Sequence, residues 1–93
     1  MDVKEAVGIA KTHAAIVFEG ETIQVEEVWF DEATSEWCVT VGLRRIERWP
    51  STDLLGMRTI MSSRTHYKTI RIDDVTKKIK SVLNHEKMPV SPL

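Results

Sequence analysis

Along Trp37, Val39, Val41 and Leu43 the apolar residues fall at every second position, with Cys38, Thr40, Gly42 and Arg44 between them. That is the side-chain period of a strand with one buried face, and it places Trp37 to Leu43 in the core. The strand is expected to run from Glu36 to Arg48. Pro50, which lacks a backbone donor and restrains Trp49 before it, should end it. Upstream, Val3, Ala6, Val7, Ala10, Ala14 and Val17 repeat at helical spacing. Asp2 with Glu5 three residues later has the form of a helix-starting cap, so the spacing predicts a helix over about 2–17. Its alanine- and valine-rich stripe suits close packing on a sheet, and Gly20 is a stop signal beyond its end.

Between these two elements, Thr22 to Phe30 is rich in β-branched and aromatic residues, but its inward series Ile23, Val25 loses phase at Glu26 and Glu27 before Val28 and Phe30. An extra residue accommodated as a bulge would restore the phase. The polar run Asp31 to Ser35 then predicts a hairpin into the Trp37 strand. After Pro50, Ser51 or Thr52 can cap a short helical turn, or the chain can run irregularly to Ser63. His66 to Asp73 alternates again, with Ile70 and Ile72 on one face and Tyr67, Thr69 and Arg71 on the other. Asp73 to Lys78 supplies turn residues. Ile79 to His85 makes a fourth strand, with either Ile79, Ser81 and Leu83 or Val82 facing inward. The expected fold is α+β: one N-terminal helix packed on a four-stranded antiparallel β-meander. This single domain should fill residues 1–86, leaving 87–93, with Pro89 and Pro92, as a flexible tail.

Composition narrows the function classes. With 93 residues, 42% apolar and 29% charged, the chain suits one small core, and no apolar run approaches the roughly 20 residues that cross a bilayer. The N-terminal residues lack a signal-peptide pattern, and the one cysteine, Cys38, cannot form an internal disulfide. Both features imply a soluble protein of the cytoplasm, with no membrane partner. Charge is unevenly spread. Residues 1–43 hold two lysines against nine acids, net −7, and residues 44–93 hold eleven basic residues against five acids, net +6, which sum to the overall −1. Such polarity either gives a basic face to an anionic partner or lets the halves neutralise each other across the fold; the second is the plainer reading.

Catalytic patterns are absent from the sequence. Cys38 has no histidine at a useful spacing, and His13, His66 and His85 stand singly, without the paired ligands of a zinc site. The four glycines are isolated, so no phosphate loop forms, and Glu26-Glu27 and Asp73-Asp74 read as bulge and turn rather than as an acid–base pair. The expectation is no enzyme, no metal and no cofactor. What remains is Arg44, Arg45, Arg48, Trp49, Leu54, Leu55 and Met57, a cluster of the residue types that anchor protein interfaces. These are the candidate partner-binding residues. The plainer reading of the apolar members, with Ile60 and Met61, is a loop folded back to cap the core. A rival function is nucleic-acid binding through the basic second half, where Trp49 and Tyr67 lie among the arginines and lysines. Open edge strands would also let two copies pair as a homodimer.

The run WCVTVGLRRIERWPSTDLLG resembles the central segment of the gas vesicle protein O family, in which a W-x-V-x-V strand leads through an arginine and a proline to T-D-[VL]-L. Trp37, Val39, Val41, Arg45, Pro50, Thr52, Asp53, Leu54 and Leu55 carry the likeness, and Tyr67 to Asp74 matches the tyrosine strand and acidic turn that follow. The resemblance implies an accessory role in gas vesicle assembly. Asp73, Thr76, Lys78, Ile79, Ser81 and Val82, in a helix-plus-meander arrangement, are similar to PepSY-type and cystatin-like modules, which implies an inhibitor, immunity or regulatory module. Both point to a small noncatalytic protein that contacts other proteins.

Overall fold

In a computed structural model, the chain is described over residues 1–53 and 56–85, and over 46–53 and 56–64 the description is of the backbone. The helix α1 (Val3–Val17) is followed by β1 (Thr22–Asp31), β2 (Glu36–Asp53), β3 (Gly56–Asp73) and β4 (Ile79–Asn84). The strands form one antiparallel sheet in the order β1-β2-β3-β4, and α1 packs on it. The fold is the expected helix-backed meander. The 86–93 tail lies outside the described residues.

Local chemistry explains the element starts. The Asp2 carboxylate accepts the Glu5 backbone N–H at 2.8 Å and caps α1, while Phe18 N–H donates to Ala14 O at 2.8 Å and closes its end. Gly20, at φ +87°, then turns the chain in a conformation that favours glycine. Ala6, Ala10 and Ala14 are each fully buried at i, i+4 spacing, so α1 lies on the sheet through its smallest side chains. Val39, Val41, Leu43, Ile70 and Ile72 form the sheet side of this core.

Two bulges set the phase of the outer strands. Val25 pairs with Val41 and Glu27 with Thr40, so Glu26 is the extra residue in β1, as the sequence pattern requires. In β4, Ile72 pairs with Ile79 and Arg71 with Ser81, which makes Lys80 extra. This second bulge resolves the two possible phases of β4: Ile79 and Val82 both pack on the core, and Leu83 is exposed.

The face of β2 away from α1 is also closed at its centre. Cys38, Thr40 and Gly42 are buried there, screened by neighbours on β1 and β3. Thr40 and Thr69 sit opposite one another and share a hydroxyl–hydroxyl hydrogen bond of 3.0 Å. A buried hydroxyl that loses its only partner keeps the cost of desolvation, whereas removing both hydroxyls does not. Thr40→Val is therefore expected to destabilise the protein by about 1–2 kcal/mol. Thr40→Val combined with Thr69→Val should recover most of that loss in urea unfolding.

The largest departure from the sequence reading concerns residues 49–65. Neither a strand end at Arg48 nor a capped turn or irregular loop to Ser63 is found. Instead β2 continues through Pro50 to Asp53, and β3 begins at Gly56 rather than His66, paired residue for residue from Asp53↔Gly56 back to Arg45↔Arg64. The physical reason lies in the neighbours. β1 reaches only as far as the Thr22↔Arg44 pair and β4 only as far as Lys68↔Asn84. Among the described residues, each strand of the ribbon has one open side beyond these points, where a proline is tolerated. The segment is an arm, not a cap over the core. Nine residues of strand from Arg45 to Asp53 span about 30 Å. The molecule is accordingly long, 60 × 39 × 19 Å, with a radius of gyration of 17.4 Å against about 12 Å for a compact chain of this length.

Candidate interaction site: the arm and its base

Five of the seven sequence-identified residues fall on this ribbon. Arg44 and Arg45 are exposed at its base. Arg44 is flanked by Thr22 on β1 and Thr65 on β3, and Arg45 pairs with Arg64. Further out, Arg48 pairs with Met61, Trp49 with Ile60 and Met57 with Thr52. The register thus brings an arginine–methionine and a tryptophan–isoleucine pair together from positions twelve or so apart in sequence. Leu54 and Leu55 lie outside the described residues.

At the base of the arm, on the face away from α1, Gln24, Glu26, Arg44, Thr65 and Tyr67 line a cleft of about 280 Å³ over Gly42. The bulge aims Glu26 across the strand. A Cβ added at Gly42 would stand 3.1 Å from Glu26 Oε1 and 3.4 Å from the Tyr67 ring. Glycine lets both side chains close over β2 at this point, and a Cβ there would make Glu26 give way by a few tenths of an ångström.

Several basic residues of the second half are occupied within the fold. Arg71 Nε donates to Glu36 Oε1 at 2.6 Å, and Arg71 Nη2 donates to Asp31 Oδ2 at 2.6 Å and to Thr34 Oγ1 at 3.0 Å. This fork ties β3 to both sides of the β1–β2 turn. The Arg71 hydrogen bond is also the main reason the Asp31 carboxyl is held below its ordinary range. Lys77 bonds Glu5 at 2.5 Å, and Lys68 bonds Asn84. Neutralisation between the acidic and basic halves is therefore present at Arg71 and Lys77. Trp37 Nε1 donates to Asp74 Oδ1 at 2.8 Å, and its ring meets Phe30 edge-on at 5.2 Å. Trp37 is half-buried at the rim of the core rather than within it.

Burial pushes the Cys38 thiol upward, which keeps it protonated and unreactive near neutral pH. His13, His66 and His85 lie on α1, on β3 and just after β4. Among the described residues no three His, Cys, Asp or Glu side chains gather as a metal ligand set, and no helix is long and apolar enough to cross a membrane. No family model, no curated protein and no solved structure matches the chain. Sequence reasoning missed the arm itself and the Arg71 fork. The alternation signal for the arm is broken by Pro50, and the fork joins residues 35 to 40 positions apart.

Proposed function

We propose that the chain is a small noncatalytic protein-binding module and that the β2–β3 arm is its recognition element. The observation that carries this reading is the arm's projection past both outer strands. Among the described residues the ribbon has no third strand or packed helix, and such a ribbon has little stability of its own in water, which a covering partner would supply. Residues 44–65 also hold five arginines against two acids, net +3, together with Trp49 and two methionines. Arginine and tryptophan lead among the residues that dominate interface energies, and methionine adapts to varied apolar surfaces. The gas-vesicle-like run passes from the core part of β2 into this arm, which makes an accessory role in assembling a larger protein structure the concrete form of the proposal.

Nucleic acid is the rival ligand, because a basic two-stranded ribbon fits the major groove. The occupation of Arg71, Lys68 and Lys77 by protein partners reduces the basic surface available to it and supports the protein reading. One experiment addresses both. Trp49→Ala with Leu55→Ala is expected to abolish capture of the partner from the native host while leaving thermal stability unchanged. A large loss of thermal stability would mark the two residues as structural and sink the proposal. Retention of labelled single strands at low salt, lost in Arg44→Ala with Arg45→Ala, would favour nucleic acid instead.

A further inference from the structure

We infer that the two open edges of the sheet, β1 and β4, are complementary and that copies of the chain assemble head to tail through a β1–β4 contact. Among the described residues, each of these strands pairs with one neighbour only. Three observations fit the edges to each other rather than to themselves.

The first is strand parity. Four antiparallel strands in sequence order leave β4 running opposite to β1. A second copy placed edge to edge, with its helix on the same side, therefore sets its β1 antiparallel to β4 of the first, and the meander continues. The second is register. The observed pairings put Phe30, Trp37, Ile72 and Ile79 at one level of the sheet and Val28, Val39, Ile70 and Val82 at another. Without stagger, Ile79 meets Phe30 of the second copy and Val82 meets its Val28, all on the helix side. On the other side Leu83, 50% exposed, falls diagonal to Trp29, 38% exposed. Large apolar side chains left half in water on opposite edges would cover one another.

The third observation is charge. Residues 19–32 carry six acids and no lysine or arginine, whereas residues 77–85 carry three lysines and no acid. Consecutive strand order converts this sequence polarity into an acidic edge and a basic edge. Pairing β1 with β1, or β4 with β4, would bring like charges together, a common device against edge association; the β1–β4 pairing brings opposite charges together. The contact is heterologous, so it propagates beyond two copies. Every arm then leaves the array from the same end, about 19 Å from the next, which multiplies weak arm contacts into avidity. β4 is short, so the association is weak, concentration-dependent and sensitive to salt.

Sedimentation of the full chain at low ionic strength tests this with two charge reversals, one per edge. Glu19→Lys, Glu21→Lys, Glu27→Lys and Glu32→Lys together take residues 19–32 from −6 to +2, and Lys78→Glu with Lys80→Glu take residues 77–85 from +3 to −1. The parent chain is expected to grow past two copies with concentration. Each variant alone should be monomeric, with its thermal midpoint retained, and an equimolar mixture should again grow past two copies, because every β1–β4 contact between unlike variants joins opposite charges. A parent chain that stays monomeric at all concentrations, or stops at a dimer, overturns the inference. So does a mixture that remains monomeric or halts at two copies, the latter being the signature of a β1–β1 or β4–β4 contact.

Discussion

Truncating Leu43 to alanine should remove about 2–5 kcal/mol of stability from a domain of this size that holds about 5–15 kcal/mol in total. Leu43 is 1% exposed and is the last of the row Val39, Val41, Leu43 that faces α1. It pairs with Ile23 on β1 and His66 on β3, one residue before the sheet narrows to two strands. Among the described residues it is the largest fully buried side chain. The cavity term therefore adds to the lost transfer term, and the effect falls in the upper part of the range. Urea unfolding should show a lower midpoint at an unchanged slope. Leu83→Ala, at a half-exposed position, should stay within about 0.5 kcal/mol of the parent.

The opposite behaviour is expected when the arm is removed. Arg45 and Arg64 are directly paired, so residues 46–63 can be replaced by Asn-Gly, the two-residue turn whose twist matches antiparallel strands. Eighteen residues disappear, yet the buried apolar residues that are described lie in α1, at 38–43 and at 70–72, and none of them is touched. The shortened chain should fold with a thermal midpoint close to that of the parent, and the Arg71 fork and the α1 packing should be unchanged. A shorter ribbon also closes with less loss of chain entropy. Deleting a fifth of the sequence without destabilising the rest would show that the arm is kept for contact with something else.

Much of the helix-backed sheet can be read from local chemistry. Asp2 with Glu5 marks the start of α1. The lost phase at Glu26 marks a bulge because side chains alternate strictly along a strand, and the polar run after Phe30 marks the hairpin. Two features escape such reading for a common reason: they depend on what lies beside a strand. Pro50 is a strand terminator where both edges must pair, and harmless where one side is open; only the short reach of β1 and β4 decides between these. Cys38 and Thr40 alternate with apolar residues and look like a solvent face, but flanking side chains from β1 and β3 bury them. For the candidate site, the sequence pattern located the arginines and apolar residues between Arg44 and Met61 but not their pairing across a ribbon, since register is a property of two strands and not of one.

The central claim is that recognition resides in the arm and stability in the sheet beneath it. The most direct measurement compares the full chain and the arm-shortened chain as immobilised baits in an extract of the native host, with retained proteins identified by mass spectrometry and both baits verified as folded. The account predicts that a defined protein is held by the full chain and lost with the shortened one. Equal retention of that protein by both baits would contradict it and move the interaction to the helix-backed sheet.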